Sequence, residues 1–584
     1  MGLYDKADSG IGNFKTAFPN NFERLQDIPF GKVVPIMCKL GVPNDIWKMR
    51  EKILLRFQAQ TAPFMTPVNA TVRAWFVPLR LIEENTEKVV TGSKNGKVLS
   101  EEDLPVLDGL FDYDAGKTNA YTVKKNKAVE SIYGLPKTPL PSGGNYDFFA
   151  KDEPGAKPAL FYLKAYFRIW FDYYRDENLF SYDDFDEWWS DVLASTDAVG
   201  ELEYLPVNWR KDYLTSALPS QQKGIAPTLD MQVYSGTGSF QVSDLFGKFS
   251  SAETVGGNGA ITWDDSFQSL DTPKVHIEYN GSGTATPNIS RTITRQSGSY
   301  WGDYVLKNPV LKGSVDNFNI NGSSGLTASD LRLLFAQQRL FERLMRCGSR
   351  YTEYLKSNFG ISPTDETLQR AQYLGGFKQP VITSEVLQTG TGTTPVGTQR
   401  GHSISAGRSG LGNHLLKEFG VIMVTISVMP KAQYTQGISR EYMLRERFDF
   451  PNPSFQFLSE DEVKNYEIYL DSKASGDDKD TVAAENFSTF GFQEMYGWLK
   501  SSRDEVRGSM RDTQANWTMA RFFSSRPNLN EAFVTTENDA SNFHRPFAVT
   551  ISDDEPPILM RCGHNYDIWR PFARYGTPGL LDHH

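Results

Sequence analysis

The stretch Ser349–Gly376 reads SRYTEYLKSNFGISPTDETLQRAQYLGG. It has none of the look of a catalytic loop. Arg350, Tyr351, Glu353, Leu355 and Phe359 precede Gly360, and Leu368, Gln369, Arg370, Tyr373, Leu374, Gly375 and Gly376 follow. Leading into it, residues 326–358 read as a strong helix, which Thr327 or Ser329 can cap and Gly360 ends. Leu331, Leu334, Phe335, Gln338, Phe341 and Met345 line one face, and Arg332, Arg339, Arg343, Arg346 and Arg350 line another. Basic faces are usually solvated, and Glu342 and Glu353 can pair locally. The sharper reading is contact with DNA or a neighbouring subunit. Arg339, Arg343, Arg346 and Arg350 are its nucleic-acid-binding candidates, because their spacing puts them on one helical stripe.

On the C-terminal side, residues 377–430 read as hairpin-rich β structure. Phe419–Met429 is a continuous apolar, β-branched run that suits a buried sandwich strand. On the N-terminal side, Asp45–Phe57 reads as a helix-like tract with Asn44 or Asp45 as its cap. Val68, Ala70, Val72, Ala74 and Phe76 alternate with more polar neighbours, as a half-buried strand should. Residues 85–158 are loop-like. In the segment from Leu160 to Trp189, Tyr162, Tyr166, Ile169, Trp170, Tyr173 and Tyr174 recur at helical spacing, a stripe more often core than ligand cage. Between Phe171 and Glu203, eleven acidic residues face one basic residue, Arg175, which reads as a solvated or interface surface rather than an acid–base pair. Residues 231–325 turn rich in Gly, Ser, Thr and Asn, with short alternating patches such as Lys274–Tyr279. They read as an inserted, surface-exposed β-rich excursion.

The bulk properties narrow the function. In 584 residues, 61 basic side chains meet 71 acidic ones, a net charge of -10, so the chain does not bind nucleic acid by bulk charge. No run of about 18 apolar residues predicts a membrane span. The opening MGLYDKADSGIGNF lacks a signal peptide's basic and apolar regions, which predicts a protein kept in a cytoplasm. Cys38, Cys347 and Cys562 are too scattered for a disulfide framework and read as reduced, mostly buried thiols. Cys562 and His564 suggest half a metal site with no second half in view. Aromatics reach 13%, which serves a large β-rich core, an extensive subunit interface, or both. Walker, HExxH and GxSxG strings are missing, and the seven histidines show no ligand spacing beyond the terminal pair. No catalytic, cofactor-binding or metal residue is assigned, and the expectation is a protein that is not an enzyme and needs no cofactor.

The stretch from Arg350 to Gly376 closely resembles a signature of the major capsid protein of small single-stranded DNA bacteriophages, the microviruses. There the pattern runs G-T-R-Y-x-E-x-L-x-x-x-F-G-V and then S-P-D-x-R-L-Q-R-P-E-Y-L-G-G. Phe76–Leu81 resembles the family's F-V-P-x-R-L, and Tyr174–Leu179 resembles W-F-R-D-x-N-L. Pro380–Thr389, Phe419–Lys431, Gln436–Arg440, Phe490–Glu494 and Arg526–Asn530 match further family elements. The N-terminal tract departs from the usual family opening.

The resemblance implies a mainly β fold, an eight-stranded antiparallel viral jelly roll with long loop insertions and several helices. It divides the chain into residues 1–230 and 326–584, which share the jelly roll, and 231–325, placed where the gokushovirus branch carries a threefold protrusion. It implies self-assembly through pentamers into a T=1 icosahedral shell around circular single-stranded DNA. The implied partners are further copies of the chain, a small basic DNA-binding protein, scaffolding and minor pilot proteins, and a host-surface receptor, without membrane insertion. The implied location is the virion, assembled in the host bacterial cytoplasm. The rival expectation is a β-rich phage receptor-binding spike or carbohydrate-active protein. A spike usually has a repetitive shaft, which this sequence lacks, and a glycosidase needs a carboxylate pair in a cleft.

Overall fold

The computed structural model describes residues 15–91, 105, 127–134, 158–199, 202–224, 328–347, 350–387, 399–458, 460–472, 479–548 and 556–574. Period-two burial builds its first sheet. Strand β11 (Ile558–Arg570) buries Ile558, Met560, Cys562, His564, Tyr566 and Ile568 and turns the residues between them outward. It lies between β1 (Thr16–Ile28) and β3 (Ile46–Phe57), antiparallel to both. Strand β3 buries Trp47, Met49, Glu51, Ile53, Leu55 and Phe57.

The helix expected over Asp45–Phe57 is therefore a strand. A carboxylate at the inward position 51 breaks the apolar alternation and makes the sequence look helical. Pairing with β11 on one side and β7 (Gln399–Leu415) on the other overrides that local signal. The expected cap residues serve a turn: Asn44 takes φ +69°, and the Asp45 carboxylate accepts from the Val42 N–H and the Trp47 indole, both at 3.2 Å.

The remaining core strands are β2 (Val34–Gly41), β4 (Val68–Pro78), β5 (Gln372–Pro380), β6 (Ile382–Leu387), β7 (Gln399–Leu415) and β8 (Gly420–Pro430). One sheet runs β1-β11-β3-β7-β6 and the other β2-β8-β4-β5, with every neighbouring pair antiparallel. Setting aside the edge strand β6, eight strands remain. In chain order the first, eighth, third and sixth form one sheet, and the second, seventh, fourth and fifth form the other. That interleaving is a jelly roll, as expected. A small separate hairpin pairs β9 (Glu460–Lys464) with β10 (Thr489–Glu494).

The run read as a buried strand is β8, in which every residue except Met429 is buried. It is buried on both faces because helix α3 (Phe161–Tyr173) packs on β4 and β8. The aromatic stripe on α3 is core: Tyr166, Ile169 and Trp170 are buried, and Trp75 of β4 packs against Tyr173 and Tyr174.

Two long excursions leave the sandwich, residues 79–371 between β4 and β5 and residues 431–557 between β8 and β11. The first holds α1 (Thr86–Thr91) and α2 (Lys127–Tyr133), short helices within the tract read as loop-like, then α3 and α4 (Phe185–Val199). The helix expected over 326–358 is two helices, α5 (Ala328–Cys347) and α6 (Tyr351–Phe359). Gly360 ends α6 in the left-handed conformation at φ +70°. Thr327, Lys274–Tyr279 and the whole 231–325 excursion lie outside the described residues, and Ser329 sits inside α5 rather than at its cap. The chain divides into two compact units, residues 1–224 with 341–584, and residues 225–340. No described helix is long and apolar enough to cross a membrane.

The glycine pair that closes the signature stretch lies in β5, where backbones approach closely. A Cβ on Gly376 would sit 2.5 Å from the Val72 carbonyl oxygen of the neighbouring strand. Gly375 has φ +149°, and a Cβ there would lie 2.9 Å from the Leu411 carbonyl oxygen. Gly376→Ala is expected to lower stability by about 1–3 kcal/mol, because backbone must move to admit one methyl group. Urea unfolding of the free subunit checks it, and an unchanged midpoint would contradict the packing.

Candidate functional site

The signature stretch fastens onto α3. The Asp172 carboxylate accepts the Ala371 N–H at 2.9 Å, the Tyr173 hydroxyl donates to the Ala371 carbonyl, and Arg168 reaches the Gln369 carbonyl at 3.3 Å. The Arg370 guanidinium lies 5.0 Å over the Tyr173 ring, while its Nε donates to Asp365 at 2.7 Å. Arg80, from Phe76–Leu81, donates to Glu418 at 2.7 Å and also to the Gln369 side chain. Arg350 forms an ion pair with Glu177 and donates to the Arg175 carbonyl at 3.1 Å. Arg175 in turn lies 3.8 Å over the Phe171 ring and donates to the Tyr182 carbonyl at 2.7 Å. Three elements far apart in sequence thus meet at one joint, which holds α3 and the signature stretch against the sandwich.

Ion pairs take up four of the eleven acidic residues from Phe171 to Glu203. Asp172 pairs with Arg168, Asp176 with Lys211, Glu177 with Arg350 and Asp186 with Lys164. These carboxylates brace the fold.

The arginine stripe does not survive as one surface. Arg339, Arg343 and Arg346 are exposed on α5, which ends at Cys347. Arg350 caps the next helix with ψ +139°, an extended conformation that takes it off the α5 stripe. It is half-buried in its pair with Glu177. Arg346 is committed as well, since its guanidinium pairs with Glu460, whose side chain is 1% exposed. Of the four candidates, Arg339, Arg343 and Arg346 keep the placement on one helix that the spacing predicts, and of these Arg346 is drawn into its pair with Glu460.

Comparison with known proteins agrees with this architecture. The family described as "Capsid protein (F protein)" matches residues 16–580. The chain belongs to this phage capsid protein family. Capsid protein VP1 of Chlamydia phage 1 is 28% identical over 597 residues, covering 94% of this chain and 92% of that protein. Capsid protein VP1 of Bdellovibrio phage phiMH2K is 25% identical, covering 97% and 96% of the two chains. Capsid protein VP1 of Spiroplasma virus 4 is 25% identical, covering 94% and 92%. Membership in the F protein family gives the joint its meaning: the matched motifs hold a structural subunit together.

One cluster escaped the sequence reading. Glu51 on β3 completes a group with Cys562 and His564 of β11, their donor atoms all within 4.8 Å of one another. No spacing rule links residue 51 to residue 562, since only the β3–β11 register brings them together. Hydrogen bonds account for the arrangement. The Tyr566 hydroxyl donates to Glu51 Oε1, while the Cys562 thiol at 3.5 Å and His564 Nδ1 at 2.8 Å approach Oε2. Burial, then the neighbouring Glu51 charge, pushes the Cys562 thiol and the Tyr566 hydroxyl above their ordinary values, so both stay protonated donors. A metal-bound histidine normally donates its other ring N–H to an acceptor. His564 Nε2 has no partner among the described residues, and the ring stacks on Phe22 at 4.4 Å. The donor set fits a buried hydrogen-bond network better than a metal centre. Cys562 is buried, and Cys38 packs against the core with burial pushing its thiol well above the ordinary value, while Cys347 is half-buried.

Two measurements check the charges. Arg346→Gln is expected to cost the subunit about 1–3 kcal/mol, because it removes the guanidinium paired with the buried Glu460 carboxylate. Arg343→Gln should change the unfolding free energy by less than about 0.5 kcal/mol, as exposed substitutions do. Equal effects would contradict the assignment.

Glu531 opens the short helix Glu531–Val534, and burial, then the charges of Glu537 and Asp176, raises it from 4.5 to about 7. The folded state therefore holds this proton more tightly than the unfolded chain. The resulting stabilisation is present in acid and is lost as pH climbs from about 4.5 to 7. Urea midpoints should fall between about pH 4.5 and pH 7, and Glu531→Gln should remove that part of the fall. An identical pH profile in the variant would contradict the shift.

Proposed function

We propose that the chain self-assembles into a T=1 icosahedral shell around a circular single-stranded DNA genome. The observation that carries this reading is the jelly-roll interleaving of two sheets with the family motifs docked at its main joint. A closed shell asks one subunit to make several different symmetric contacts. Long excursions on a rigid sandwich supply surfaces for them. The protein's work is association rather than turnover, in the virion after assembly in the bacterial cytoplasm, with scaffolding and pilot proteins as transient or minor partners.

A net charge of -10 supports a small separate basic protein as the partner that neutralises the packaged DNA. Direct DNA contact by this chain falls to Arg339 and Arg343, with stacking of bases on aromatic rings worth about 1–3 kcal/mol per base where it occurs. Residues 231–325 form an outward protrusion for host attachment, on the strength of their Gly-, Ser- and Thr-rich composition between two motif-bearing regions.

Negative-stain microscopy of the chain, co-expressed with its scaffolding partner, should reveal particles of icosahedral outline. Replacing residues 231–325 by a short Gly-Ser linker should leave the particles intact and reduce adsorption to host cells. A strictly monomeric wild-type protein would overturn the shell reading. A folded linker variant that forms no particles would make the excursion an assembly element instead.

A further inference from the structure

The second excursion contains the stretch Tyr442–Leu458, YMLRERFDFPNPSFQFL. Its apolar side chains face outward: Phe457 is 90% exposed, Phe448 79%, Tyr442 67%, Phe450 56%, Leu458 54% and Phe455 39%. Large apolar patches on a soluble surface mark contacts. The backbone presenting them is fixed. The Asp449 carboxylate accepts the N–H groups of Arg445 at 2.8 Å and Glu446 at 2.7 Å. Asn452 caps the turn Pro453–Phe455 through Ser454 N at 2.9 Å, and it exchanges two hydrogen bonds with the Tyr496 hydroxyl at 3.0 and 3.1 Å. A segment ordered in advance loses less entropy when it docks.

We propose that Tyr442–Leu458 is an apolar contact covered by a second copy of this chain in the assembled shell, which rests on the shell-building reading above. Area supports that occupant. At roughly 200 Å² per large side chain, the exposed fraction amounts to about 750 Å², close to the ~800 Å² each partner gives to a standard interface. Charge decides between protein and nucleic acid. From Glu441 to Leu458, Arg445 and Arg447 stand against Glu441, Glu446 and Asp449, so the segment is not basic. Single-stranded DNA bound on aromatic rings needs a positive groove, whereas mixed charges around an apolar centre suit an interface between copies. A groove of about 300 Å³ beside the segment, lined in part by Ser439, Tyr442, Glu505 and Arg507, supplies a polar rim.

Hydroxyl-radical footprinting of the wild-type chain, free and in particles, reads the contact without any substitution. Phe448 and Phe457 are expected to lose at least about tenfold of their oxidation on assembly. The double variant Phe448→Ser with Phe457→Ser should keep the subunit's near-ultraviolet circular dichroism and lose about tenfold or more in particle yield. Equal oxidation of Phe448 and Phe457 in subunit and particle overturns the proposal while leaving the shell intact. Protection by a single-stranded oligonucleotide, with no particles formed, overturns it in favour of DNA. Failure of the wild type to assemble under any condition removes the shell reading itself, an outcome distinct from the other two.

Discussion

The structure depends on β11 taking its place between β1 and β3. The pairing runs from Thr16 to Ile28 on one side and from Ile46 to Phe57 on the other. The last core strand thereby closes a sheet begun by the first, and the inward line from Ile558 to Ile568 fills the space between the sheets. Until β11 docks, the edges of β1 and β3 stay unpaired and the inner faces stay wet. Contacts of this sequence separation form late and slowly. The same docking buries Glu51, which the core tolerates because Tyr566, Cys562 and His564 arrive with β11 as hydrogen-bond partners.

Around that closed frame the chain separates rigidity from reach. Its excursions leave from strand ends without interrupting a ladder, and α3 and the signature stretch are pinned where Arg350, Glu177, Asp172 and Arg80 converge. The charges at this joint are partly buried and mostly paired, so they specify geometry more than they add net stability.

Much of this was legible in the sequence, for identifiable reasons. The β8 run reads as a buried strand because its apolar residues are continuous, and the α3 stripe reads as core because its aromatics recur at helical spacing. Family motifs carried the jelly roll, which no local pattern specifies. The failures have physical causes too. Glu51 hid a strand, because a buried charge is readable only through partners more than 500 residues away. The four-arginine stripe assumed an unbroken helix, yet α5 stops at Cys347 and Arg350 turns toward Glu177. Helical spacing could not show that Arg346 answers a buried carboxylate on β9.

Particle mass tests the central claim most directly. Sixty copies of a 65.8 kDa chain make an empty icosahedral shell of about 3.9 MDa. Native mass spectrometry or charge-detection measurement of purified particles should give a narrow population at that mass, heavier by the genome and its basic partner when filled. A single species at the mass of one chain, or a continuous ladder of open oligomers, would contradict the account.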